Sequence, residues 1–286
     1  MTKKDDKRPV GKGLSVGTVH FVKNVLRSTF EFAIDNNLTA ENPVSRTKLP
    51  FLGKARSTSL TTEEAKAFVS VRKHFWFGNS LVFQLYTGLR TQELTAIIWD
   101  DVDFDKGTLR IERACKRVGG ACVQIGSPKS ERSKRVIQLA PELLTLLRYH
   151  HEAQQEIIKT HRGQKPYGDN IVKDWIKRER TGQTHLYTRT DLIFPKRDGE
   201  IPNTTTMEVA FKRMRRRAGI PDERKLRQYD LRHTHASFLF AASVPSIDVA
   251  ARMGHSLAIC EGTYGHPLEE RRGVTSKAFT DLVPLE

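Results

Sequence analysis

The sequence predicts a mainly α fold with a small antiparallel β-sheet (α+β), and three observations predict it. Apolar residues recur at helical spacing, first in Val19, Val22, Leu26, Phe30 and Ala33. One strand-rich region stands apart, with Gly119-Gly120 as a two-glycine turn signal inside it. A basic stretch containing proline and glycine, Thr47 to Ser59, separates a first helical segment from everything that follows.

Residues 1–13 are polar, carry Pro9 and two glycines, and read as a loose tail. Ser15 caps the first helix, and Asn36-Asn37 followed by Asn42-Pro43 ends it. One helix cannot bury its own apolar stripe, so this one needs partners that the preceding dozen residues cannot supply. Thr61-x-x-Glu64 is a capping box that opens a helix to about Lys73. Leu81 to Ile98 is apolar and interrupted at Gly88, so two helices meet at a glycine turn with Arg90 at the join and Glu93 one turn further on. In the strand region, Thr108 to Val118 and Ala121 to Ile125 are expected to form a hairpin, with Lys134 to Leu139 as a third strand.

Pro141 opens a helix reaching about Ile158. Lys159 to Thr190 is polar, basic and weakly periodic, and reads as an insertion with a helix around Asn170–Glu179. Asn203 caps a helix that stops at Gly219. It carries Lys212-Arg213-Met214-Arg215-Arg216-Arg217, whose basic residues wrap round the helix and must divide between solvent and an acidic partner. Glu269 to Leu282 reads as the last helix.

Length and composition bound the function. The 286 residues suffice for one large or two modest domains with a real core. Hydrophobic residues at 38% and charged ones at 28% fit a soluble globular protein. No apolar run approaches the ~20 residues that span a bilayer, and the polar, basic start lacks the core of a secretory signal. Lys+Arg 48 against Asp+Glu 33 gives a net charge of +15, which points to nucleic acid. Cys115, Cys122 and Cys260 show neither metal-ligand spacing nor a disulfide framework, so a reducing cytoplasm is the simple inference.

The chemistry concentrates between Gln228 and Pro267. Arg232 offers a planar fork of donors suited to phosphate, His255 a further donor and Tyr264 an oxygen nucleophile. That trio suits phosphoryl transfer through a covalent protein–phosphate ester and calls for no metal or other cofactor. The same triple also occurs on amphipathic hairpins whose polar residues are merely solvated.

This stretch resembles the signature of the tyrosine recombinase (phage integrase) family. Arg232 matches the arginine of its His-x-x-Arg box, Met253-Gly254-His255-Ser256 its Leu-Gly-His-Ser box, and Tyr264, nine residues after His255, its nucleophile. Thr87 to Leu94 resembles the Thr-Gly-x-Arg-x-x-Glu-Leu box, which makes Arg90 the first catalytic arginine. Pro128 to Arg135 resembles the segment that holds the catalytic lysine, at Lys129, with Lys134 as the neighbouring alternative. Thr18 to Val44 resembles the last helices of the family's core-binding domain. The resemblance therefore implies a truncated helical core-binding (DNA-binding) domain over 1–46, a basic linker over 47–59 and a catalytic domain over 60–286. One departure bears on the chemistry: Tyr229 stands where the family has the first His of the His-x-x-Arg box.

What the resemblance implies is a site-specific DNA recombinase. Tyr264 attacks a phosphodiester to give a 3′-phosphotyrosine, Arg90 and Arg232 clamp the non-bridging oxygens, His255 adds a donor, and Lys129 protonates the departing 5′-oxygen. No metal, ATP or other cofactor is implied. The implied partners are duplex DNA with attachment sites, further protomers in a homotetramer joined through the C-terminal segment, and an accessory DNA-bending or excision protein. No membrane is implied, and the location is cytoplasmic, with the nucleoid. Tyr229 can donate to the phosphate but is a poor base near neutrality. Two readings of it stay open: a tolerated variant, or lost turnover in a truncated remnant that only binds DNA. A type IB topoisomerase shares the tyrosine–arginine chemistry. A metal site from His233, His235, His255 and His266 has spacings that fit no common ligand pattern.

Overall fold

The computed structural model describes residues 13–51, 59–118, 122–126, 133–160, 171–172, 187–188, 191–197 and 199–264. The chain divides into two compact units, Met1–Arg56 and Ser57–Glu286. In the first, α1 (Val16–Asp35) begins where Ser15 accepts from the Thr18 N–H and ends at Asn36. Asn37 then turns the chain with φ 55°. The following residues run back along the helix. Asn42 Nδ2 donates to the Arg27 carbonyl at 3.1 Å, Lys23 Nζ to the Thr47 carbonyl at 2.7 Å, and His20 Nε2 meets the Pro50 carbonyl at 2.9 Å. No residue of α1 is buried, and Phe21, Val25 and Phe32 stay exposed.

The second unit is built around α3 (Gly78–Thr87), which buries Leu81, Val82, Phe83, Gln84 and Leu85. Its apolar residues face almost all round, so it has to sit inside rather than on the surface. Packed with it are α2 (Thr62–Ser70), α4 (Thr91–Leu94), α5 (Pro141–Thr160), α6 (Thr204–Arg217) and α7 (Asp230–Ala241). Phe68, Phe83, Leu109, Leu147, Phe211 and Leu231 lie in their shared core. The capping box of Thr61 and Glu64 is formed at the start of α2, although that helix gives way to a 3-10 turn, Arg72–His74, before Lys73. A smaller core of Ala236, Val249, Ala250, Met253 and Cys260 joins α7 to α8 (Ser246–Met253) and α9 (Leu257–Tyr264).

The strands correct the sequence expectation in one respect. Thr108 to Val118 is not one strand but two. β2 (Thr108–Ile111) lies between β1 (Val102–Asp103) and β5 (Arg135–Gln138), whereas β3 (Ala114–Val118) pairs, among the described residues, with β4 (Cys122–Gly126) alone. The break falls at Glu112-Arg113, where the Arg113 guanidinium turns aside to Asp101, and an ion pair to a buried carboxylate outweighs continuing the ladder. The expected helix around Asn170–Glu179 is also corrected at its start: Ile171–Val172 forms β6, antiparallel to β7 (Tyr187–Thr188). Residues 173–179, Lys129 and the expected last helix, 269–282, lie outside the described residues. Among the described residues no helix is long and apolar enough to cross a membrane.

Candidate active site

The site is organised by the C-terminal end of α8. A helix leaves its last carbonyls unpaired and partly negative, and here three successive ones each receive a different arginine. Arg135 Nε donates to the carbonyl of residue 252 at 2.7 Å, Arg232 Nη2 to that of Met253, and Arg90 Nη2 to that of Gly254 at 2.8 Å. Gly254 allows this because it adopts φ 65°, reversing the chain so that His255 follows at once.

Each arginine arrives by a different route. Arg90 caps α4 after a turn at Gly88, which has φ 68°; a Cβ there would lie 2.6 Å from His235 Cδ2 and 2.7 Å from Met253 Sδ, so only glycine fits. Arg135 comes from β5, and Arg232 from the first turn of α7. Glu93, 1% exposed, ties two of them together. It takes Arg90 Nη1 at 2.6 Å and Arg135 Nη2 at 2.9 Å. Burial works to raise its carboxyl, but the Arg135 hydrogen bond and the charges of Arg135, Arg90 and Arg232 outweigh it and hold it below the ordinary value.

Arg232 is wholly buried, and its Nη1 donates to the Gly88 carbonyl. Burial, then the neighbouring charge of Arg90, lowers it to about 10, so it stays charged at neutral pH. Its Nη2 lies 2.9 Å from His255 Nε2. A guanidinium only donates, so Nε2 must accept and the imidazole proton resides on Nδ1. Burial and the charges of Arg232, Arg90, Arg135 and His233 bring His255 down to about 4, keeping it neutral. Two buried donors are thereby left without a hydrogen-bond partner among the described residues: Arg232 Nε and His255 Nδ1.

The structure thus brings together Arg90, Arg232 and His255, three of the residues picked from sequence. Tyr264 is the last residue of α9, one turn beyond the buried Cys260. Tyr229, 37% exposed, stands at the start of α7 with its ring edge-on to His233 at 5.1 Å. Tyr229 and His233 line an open cleft with Thr91, Glu208 and Lys212. Lys134 is exposed beside Arg135. On α6 the basic run divides: Arg215 is buried against Asp222 and the Leu226 carbonyl, while Lys212, Arg213, Arg216 and Arg217 are exposed. The residue missed from sequence is Arg135. Its only local signal was a place in the lysine-bearing segment, because what it binds lies far away in the chain.

A buried guanidinium cluster with unpaired donors defines a class first: an α+β protein built to grip an oxyanion such as a phosphodiester. Comparison with known proteins is specific. The model of the phage integrase family matches residues 58–271. A protein described as tyrosine recombinase XerC-like, from Caldanaerobacter subterraneus subsp. tengcongensis, is 25% identical over 288 residues, 95% of this chain and 68% of the relative. The ICEBs1 integrase of Bacillus subtilis is 23% identical over 274 residues, 95% of this chain and 67% of that one. The same fold recurs in the Tn1549 transposon integrase solved with transposon right end DNA (TM-score 0.72, 21% identity, 94% of this chain and 81% of that chain). The chain belongs to the phage integrase family, the tyrosine recombinases. It is an enzyme of site-specific DNA recombination.

Proposed function

We propose that this chain cuts and rejoins duplex DNA at attachment sites through a 3′-phosphotyrosine on Tyr264. The observation that carries the reading is the charge and donor balance of the site. Three guanidiniums, Arg90, Arg135 and Arg232, act on the one carboxylate Glu93, and two buried donors point to a further acceptor. A scissile phosphate supplies both the negative charge and the acceptor oxygens.

In the forward step the Tyr264 oxygen gives its proton to solvent water, bonds phosphorus and expels the 5′-oxygen, which takes a proton from Lys129. Arg90 and Arg232 hold the non-bridging oxygens, and His255 donates from Nδ1. Rejoining is the reverse, with a 5′-hydroxyl of a second strand as attacking group. The ester conserves the bond energy, so no ATP is needed. Tyr229, lacking a basic nitrogen, serves as a hydroxyl donor at the edge of the phosphate. Residues 1–46 form a helical DNA-binding part, 47–59 a basic linker and 60–286 the catalytic domain. The protomers assemble on DNA as a homotetramer through the C-terminal segment, with an accessory DNA-bending or excision protein, in the cytoplasm with the nucleoid. The +15 charge suits such a partner.

The test is covalent trapping on a nicked attachment-site substrate. The parent chain is expected to give a protein–DNA adduct and Tyr264→Phe none, with DNA binding nearly intact. A parent that binds such DNA yet forms no adduct is a binding remnant, and undiminished adduct in Tyr264→Phe removes that tyrosine from the mechanism.

A further inference from the structure

The turn that presents Arg90 is held on both flanks by buried side-chain amides that the reaction itself does not use. Gln84, wholly buried in α3, donates from Nε2 to the Leu89 carbonyl at 3.0 Å. With its nitrogen on a carbonyl, its Oε1 must face the other way, where it accepts from Gln228 Nε2. Gln228, also buried, therefore turns its own Oε1 toward Thr91, whose hydroxyl donates to it. The Leu89 carbonyl thus sets the direction of the whole chain: any amide flip would set acceptor against acceptor. The Gln228 backbone N–H is anchored separately by Glu208 Oε2 at 2.9 Å.

The ends of this relay are informative. Leu89 and Thr91 are the two neighbours of Arg90, and Gln228 lies just before α7, which carries Arg232 in its first turn. The relay spans the two elements that bring the arginines together. Buried polar chains of this kind gain little net stability over apolar groups of the same shape, yet they permit only one geometry.

The geometry points to Gln84, Gln228 and Thr91 as positioning residues for strand cleavage: they set the register between the Arg90 turn and α7, so that both guanidiniums converge on one phosphate. This inference rests on the recombinase reading above.

Single-turnover adduct formation on nicked attachment-site DNA tests it, with DNA affinity and melting temperature measured in parallel. Gln84→Met, Gln228→Met and Thr91→Val keep the volume and remove the polar contact. Each is expected to slow cleavage by up to ~10²-fold, the scale of an ångström-sized misplacement, while affinity changes little. Thr91→Ser, which keeps the hydroxyl, is expected to restore the rate. In an Arg90→Ala background, Gln228→Met should add less than about 2-fold, because coupled residues are not additive. Parent-rate cleavage by Gln228→Met and Thr91→Val overturns the proposal. So does a full multiplicative loss in the Arg90→Ala background, which marks general destabilisation. Should a glutamine variant fail to fold, the Thr91→Val and Thr91→Ser pair decides alone. Absence of adduct from the parent overturns the recombinase reading and the relay's catalytic role with it; unaffected relay variants beside an active parent overturn the relay alone.

Discussion

Two arginine–histidine contacts flank the end of α8, and they differ in one nitrogen. On one side Arg252 Nε donates to His235 Nε2 at 3.0 Å, and His235 Nδ1 donates onward to the Leu85 carbonyl at 3.0 Å. Arg252 also reaches the Gln138 and Tyr86 carbonyls, so it staples α8 to β5 and α3. On the other side Arg232 meets His255 through Nε2, and the second nitrogen has no partner among the described residues. Both imidazoles are neutral, pushed down to about 3 and about 4 respectively, mainly by burial. The fully paired contact ties elements together, whereas the half-paired one keeps a donor for the phosphate of the proposed reaction.

The largest test of that contrast removes the guanidiniums on the two sides. Arg232→Ala and Arg90→Ala should each slow adduct formation by at least ~10²-fold, since each withdraws charge from the transition state. Arg252→Ala should act mainly on the melting temperature. Parent-rate cleavage by Arg232→Ala would require its reassignment. The histidines should then separate by readout. His255→Ala is expected to slow cleavage by about 10-fold or more with the fold retained. His235→Ala should cost ~1–3 kcal/mol by stranding the Leu85 carbonyl and Arg252. Urea unfolding paired with single-turnover cleavage checks both, and a crossed result would dissolve the distinction.

Acid should act on the two together. Both folded values lie below the ordinary 6.5, so the unfolded chain binds protons first. Their contribution to stability is full above about 6.5 and declines as pH falls toward 4 and then 3. The urea midpoint of His235→Gln should therefore depend less on pH between 7.5 and 5 than that of the parent; an unchanged slope would count against neutral burial of His235. The smallest effect expected is at Tyr229. Tyr229→His should raise cleavage a few-fold near neutrality, with the gain shrinking at high pH, where the phenol of Tyr264 ionises more readily. Equal rates for Tyr, His and Phe at 229 would make the position a spectator.

What was legible in the sequence follows from range. The turn at Gly88, the cap at Thr61 and the stop at Gly219 are set by residues within a few positions, and each is where the sequence placed it. Arg90, Arg232 and His255 were legible because their boxes are local. The splitting of the strand at Glu112-Arg113 was not, since it depends on Asp101 reaching Arg113 across a turn. The contacts of Arg135 and of Gln228 were not legible for the same reason. A buried glutamine and an exposed one look alike until Gln84 and Thr91 arrive from elsewhere in the chain.

The three arginine-bearing carbonyls at the end of α8 carry a consequence for timing. Only Ser256 separates His255 from α9, the helix that ends in Tyr264. A displacement of α9 that pulled on this joint would pull on the carbonyls that anchor Arg135, Arg232 and Arg90 together. In the proposed reaction, presenting Tyr264 and seating the three arginines are then one mechanical event rather than two.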